Sequence, residues 1–345
     1  MNAAKTIPDP RVYASADETA SAALASPATQ HEESQEISAR IGKFLSKGDE
    51  APVRAALAKP ASRAAAEALF VALDRVLSPP PRASGVQARL YAIPVLIVTG
   101  GASATIPGVV PDIAQIAKLF EQAGALGHAR NFGFSNALTS LDSLEAVSWA
   151  RLYRTAIGET GADVGELDLP PASIVCDQRS EAVHLRFLAG AMVTPADAPG
   201  FVETGADIGR WGMAFTRALT AQLAADGVSL LTIPRPPAGF LRAARVGRHA
   251  ANELGLQLFL SNALRQARTR TGDPDVSIAS YSDATVRVHL TSAFDDLFDQ
   301  TYAWRLSPLD DVDQIAGSIF SLLAECRLDR IAVIPSVQDA GIAGS

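Results

Sequence analysis

The chain has 345 residues, of which 48% are hydrophobic and 19% charged, enough apolar material for one large core or two modest ones and too much for a disordered or fibrous protein. Its formal net charge of −7 argues against a general nucleic-acid binder while leaving room for a local anion site. No apolar signal segment opens the chain and no run of about 18 apolar residues follows, so neither secretion nor a membrane span is expected and the protein reads as soluble and cytoplasmic.

Residues 1–35, rich in Ala, Ser, Thr, Glu and Pro without a sustained apolar period, read as a disordered tail. A helical segment follows over 36–78, where Ile37, Ile41, Phe44 and Leu45 share one face and Ala65, Leu69, Leu73 and Leu77 repeat the pattern. Pro79-Pro80-Pro81 opens a stiff Pro-rich linker over 79–87. Beyond it, Leu90 to Val98 is an apolar run of strand length leading into Thr99-Gly100-Gly101. Pro111-Asp112 then opens a helix with Ile113, Ile116, Ala117 and Phe120 on one side.

A further helix is expected over about 136–156, with Asp142 and Glu145 as a capping box. Strands at 172–176 and 182–193, a helix at 208–225 and a strand at 228–233 come next. The last third predicts an arginine-rich helix, strands near 276–281, 284–291 and 300–306, a helix at 308–325 and a closing strand from Arg330 to Val337. Close strand neighbours favour antiparallel hairpins, and strand–helix–strand segments favour parallel crossovers. The expected fold is therefore an α/β domain over 88–340, a mixed parallel/antiparallel sheet with flanking helices, with α+β as the alternative.

Charge is sorted along the chain. Residues 235–270 hold seven arginines against one acid, Glu253, and residues 283–313 hold seven aspartates against Arg287 and Arg305. Within the first segment Arg242, Arg245 and His249 follow i, i+3, i+7 spacing with Arg248 alongside, opposite Phe240, Ala244, Ala251, Leu254 and Leu258. Guanidinium groups at this density suit phosphate, carboxylate or another chain, or pair with the downstream aspartates. Sparse aromatics weaken a single-strand nucleic-acid reading, and nucleic acid is not expected as a partner.

Asp295-Asp296-Leu297-Phe298-Asp299 has the D-D-x-x-D spacing that holds magnesium when it lies on a helix, but here it falls between two strands with no second copy of the motif. Asp310, Asp311 and Asp313 read as first-turn acids of a helix capped by Ser307 with Pro308 at its first position. Two strands carry mirrored pairs, His184 with Arg186 and Arg287 with His289, each pair on one face. Side by side, the strands would form an anion cradle.

Gly133-Phe134-Ser135-Asn136-Ala137 is a degenerate G-x-S-x-G, with Thr99-Gly100-Gly101 as an oxyanion loop and His249 or His289 as base. In the alternative, Ser135 caps a helix. Cys176 and Cys326 lack C-x-x-C spacing and read as reduced thiols. All five lysines lie at or before Lys118, a bias against lysine that suits a GC-rich bacterial genome. Gly42-Lys43 is followed by Phe44, which excludes a P-loop.

These features predict a non-catalytic bacterial interaction or assembly protein, docking a protein partner or a second copy through the arginine-rich helix and the aspartate-rich surface. No cofactor is expected. A serine hydrolase centred on Ser135 and a binder of phosphorylated small molecules or nucleic acid are the alternatives.

Overall fold

The computed structural model describes residues 27–58, 62–77, 86–129, 131–157, 169–178, 181–195, 197–270, 272–281, 284–292, 297–307, 310, 312–328 and 330–337. Three helices come first: α1 (Pro27–Ser46), α2 (Ala51–Ala58) and α3 (Arg63–Leu77). Helix α1 begins inside the segment expected to be a disordered tail. Pro27 suits a first turn, where its missing N–H has no partner to lose. Residues 1–26 and most of the Pro-rich linker lie outside the described residues, and Val86 and Gln87 of that linker already belong to β1.

The next elements are β1 (Val86–Gly100), β2 (Ala104–Ile106), α4 (Ile113–Gln122), β3 (Asn131–Thr139), α5 (Leu141–Ala146), α6 (Trp149–Ile157), β4 (Ile174–Cys176), β5 (Ala182–Pro195), α7 (Phe201–Thr204), α8 (Ile208–Gln222) and β6 (Ser229–Pro234). Four of these strands form an antiparallel sheet in the order β3-β5-β1-β6, and β2 pairs with β4.

Strand β1 is buried on both faces, which is why it reads as an unbroken apolar run instead of an alternation. Leu90 and Ala92 join Leu45, Leu73, Phe187 and Ala243 in one core. Tyr91, Ile93, Val95 and Ile97 join Ile116, Phe120, Trp211 and Phe215 in a second. Each such large apolar side chain contributes roughly 1.5–3 kcal/mol when fully buried. Gly190 of β5 allows a close approach within the sheet, since a Cβ there would lie 2.6 Å from the Gly133 carbonyl oxygen and 2.7 Å from the Tyr91 ring.

The helix expected over 136–156 is corrected at its start. Residues 131–139 form the edge strand β3, with a register shift between Phe134 and Leu138, and their polarity is that of a sheet edge. The helix cap is Ser140, whose Oγ accepts from the Ser143 amide at 3.1 Å. Val147 then turns extended and divides the segment into α5 and α6.

The last elements are α9 (Phe240–Arg270), β7 (Asp275–Tyr281), β8 (Thr285–Thr291), β9 (Asp299–Arg305), α10 (Val312–Glu325) and β10 (Ile331–Val337). They form a second four-stranded sheet, β10-β7-β8-β9, in which β7, β8 and β9 are an antiparallel meander and β10 runs parallel to β7 after the α10 crossover. The fold is thus α/β, with its mixed pairing in the second sheet alone.

Helix α9 has 31 residues, about 46 Å at 1.5 Å per residue. Its first half packs Phe240, Ala243 and Ala244 into the core against β1 and β5. Its second half packs Leu256, Leu260, Ala263, Leu264 and Ala267 against the second sheet, with Val288, Trp304, Ile315 and Leu323. Ala251, Leu254 and Leu258, expected on one continuous apolar face with Phe240 and Ala244, are only half-buried. The buried stripe changes partner midway, which a single helical period does not reveal.

Candidate functional site

The arginines of the first half of α9 face carboxylates of the same chain. Arg245 lies 3.2 Å from Glu67 of α3, with its guanidinium 5.7 Å from the Phe70 ring centre. Arg242 lies near Asp74, whose carboxyl is raised by burial against the opposing pull of that arginine. Arg248 is the junction: it donates to Asp310 Oδ1 at 2.7 Å and lies 3.5 Å from Glu145 of α5. Asp310 is only 8% exposed at its side chain, and its other oxygen accepts from the Ser307 amide at 2.8 Å ahead of α10. One aspartate therefore both closes the turn ahead of α10, which begins only at Val312, and pairs with α9.

Beside it, the Ser318 hydroxyl donates to Glu253 at 2.7 Å and lies 3.3 Å from His249 Nε2. The same imidazole nitrogen is 3.4 Å from Glu253, and the ring meets Trp304 edge-on. Serine and carboxylate both address one nitrogen of His249, which is not the relay a nucleophilic serine uses.

The mirrored His/Arg pairs lie on different sheets, β5 and β8, so no pairing of those strands unites them. His184 Nε2 is 2.9 Å from Thr99 Oγ1, and burial followed by the charge of Arg186 lowers its pKa, keeping the ring neutral. Arg186 donates to the carbonyls of Ala172, Ser173 and Leu185. Arg287 stacks 3.9 Å from the centre of the Tyr281 ring, and His289 Nε2 lies 2.5 Å from Asp299 Oδ1.

Asp299 opens a strand, not a helix turn, so the helical D-D-x-x-D geometry does not form at that end. Asp295 and Asp296 fall outside the described residues. Among the described residues no group of three or more His, Cys, Asp or Glu side chains is placed to hold a metal.

Ser135 sits in the irregular part of β3, where its Oγ accepts from the Ala137 amide at 3.2 Å. A nucleophile elbow needs a sharp turn from strand into helix, and Ser135 is neither there nor at a helix cap. Its neighbour Phe134 pairs with Gly190 opposite Tyr91, whereas Thr99-Gly100 lies at the far end of β1. Tyr91 and Thr99 are about 26 Å apart at 3.3 Å per residue, so serine and proposed oxyanion loop do not meet.

A groove of about 770 Å³ runs between the second half of α9 and the end of α10, with Leu260, Leu264 and Leu322 as floor and Arg265, Arg268 and Arg327 at the rim. Arg268 is held by Asp273 at 2.7 Å and by the Cys326 carbonyl at 3.2 Å. Burial is the largest influence on the Cys326 thiol and raises its pKa, so it stays protonated.

The sheet edges differ in a way the sequence does not display. Strand β3 is irregular, β9 carries exposed Asp299 and Arg305, and β6 is covered by α8, with Thr220 Oγ1 accepting from the Thr232 amide at 3.3 Å. Strand β10 carries its own irregularity only beyond Ile334, where Pro335 falls and the register shifts, and among the described residues none of these features interrupts Ile331-Ala332-Val333-Ile334. Val333 is 39% and Ile334 43% exposed.

The Val276 amide donates to the Arg330 carbonyl at 3.0 Å, in the register Ile331↔Val276. The alternation of a parallel ladder then turns the peptide groups of Ile331 and Val333 away from the sheet. The uncharged run was legible as a strand, but its position at an edge is a tertiary property. No helix among the described residues is long and apolar enough to cross a membrane. No protein-family model matches the chain, and neither a curated protein nor a solved structure matches it.

Proposed function

We propose that the protein is a non-catalytic assembly protein that associates with a second copy of itself by strand addition at β10. The supporting observation is an edge of four uncharged residues, Ile331 to Ile334, with outward peptide groups at Ile331 and Val333. An antiparallel two-fold pairing lays Ile331 opposite Val333 of the second copy and Val333 opposite Ile331, so each outward N–H finds a carbonyl. An uncharged strand meets no repulsion when paired with itself. The two second sheets then become one continuous sheet. The arginines of α9 serve in this reading as internal fasteners.

Val333→Pro tests it. The Val333 N–H plays no part in the ladder to β7, so proline at this edge position leaves the fold intact while deleting the donor the second copy needs. Sedimentation velocity is expected to show a dimer for the wild-type chain and a monomer for the variant, with matching circular dichroism. A wild-type monomer at the highest accessible concentration, or a variant that stays dimeric, would overturn the proposal.

A further inference from the structure

On the opposite part of the chain, a cavity of about 480 Å³ opens between α1, α3 and α6, lined by Ser38, Gly42, Lys43, Ser46, Arg75 and Tyr153, with Ala39 and Val76. That volume is typical of small-molecule sites. Among the described residues its lining contains two cations, three hydroxyl groups and no carboxylate. Lys43 and Arg75 are both exposed, and neither has an ion-pair partner among the described residues. This sets them apart from Arg245 and Arg248, which face acids.

Gly42 is a second, independent observation. It lies in the interior of the 20-residue α1, where glycine is less favourable than alanine. The packing does not require it: a Cβ at this position would come no nearer than 3.7 Å, to the Tyr153 hydroxyl, an ordinary contact. With Ala39 one turn before it, Gly42 keeps the wall of α1 low and the space above Tyr153 open.

We propose that this cavity binds a phosphate dianion, free or as the terminal group of a small phosphomonoester. A dianion with three acceptor oxygens is matched by two cations, one a point charge and one a planar fork, together with the Tyr153 hydroxyl, while the Ser46 hydroxyl donates to the Lys43 carbonyl at 3.0 Å. A single carboxylate would leave one cation unbalanced.

Calorimetric titration of the full chain with inorganic phosphate and with glycerol phosphate, at constant ionic strength, reads the site directly. Saturable one-to-one binding is expected, and the tighter of the two ligands identifies the source of the group. The double variant Lys43→Ala/Arg75→Ala changes only exposed side chains and is expected to weaken binding by roughly tenfold or more. Gly42→Leu, which retains both cations but fills the space, is expected to abolish binding while circular dichroism stays unchanged. Absence of saturable binding by both ligands, or unchanged affinity in the double variant, would overturn the proposal.

Discussion

Arg248 has two acidic neighbours that differ in surroundings, and the difference sets opposite expectations for their removal. Asp310 is nearly buried, touches Arg248 at 2.7 Å and accepts the Ser307 amide. Asp310→Asn removes the nearer counter-charge of a largely buried guanidinium, leaving it Glu145 at 3.5 Å, and is expected to destabilise the fold by about 2–4 kcal/mol, measured by denaturant unfolding.

Glu145 sits farther away at 3.5 Å, and its pKa is raised, first by burial, which acts against the pull of Arg248, with Asp142 and Asp310 adding smaller upward pushes. A carboxyl with a raised folded pKa contributes stability that is fully present below its unfolded pKa and is lost as pH rises through the folded value. Glu145→Gln, which mimics the protonated form, is therefore expected to unfold at higher temperature than wild type at neutral pH. The gain should shrink to nothing once the pH falls below the ordinary carboxylate range. A loss of stability at neutral pH would show that the Arg248 contact dominates there.

At the scale of elements, α9 is positioned by how closely it approaches the first sheet. A Cβ at Gly247 would meet Leu185, Pro94 and Phe187 at 3.0 to 3.1 Å. Gly247→Leu is expected to cost about 1–3 kcal/mol through overpacking, seen as a lower denaturant midpoint with an unchanged slope. The strands from residue 182 onward were legible from their apolar runs, and β7 to β10 run close to their expected bounds, whereas the buried stripe of α9 shifts midway and α10 begins at Val312 instead of 308.

Strand β3 was not legible, because an edge strand can be as polar as a loop and the residues flanking Ser135 mimic a catalytic turn. The pairing of Arg248 with Asp310 could be read only as sorted charge, since sequence does not show which of seven aspartates faces which arginine. The openings at Lys43 and at β10 depend on which described residues lie over them. Gly42 and the uncharged Ile331–Ile334 run are the only local signals of either, and both are ambiguous without the fold.

At the scale of the whole molecule, one long helix spans two sheets whose outer resources differ. The first sheet is buried between two cores. The second is backed by α9 and α10 and ends in β10, regular and uncharged from Ile331 to Ile334 before its register shifts. Assembly by strand addition depends on that edge, and hydrogen exchange followed residue by residue over a range of protein concentrations tests it most directly. The amides of Ile331 and Val333 are expected to exchange rapidly in dilute solution and to become protected as concentration rises, while Ala332 and Ile334, directed toward β7, are protected throughout. Exchange at Ile331 and Val333 that does not change with concentration, whether fast or slow, would contradict assembly through β10.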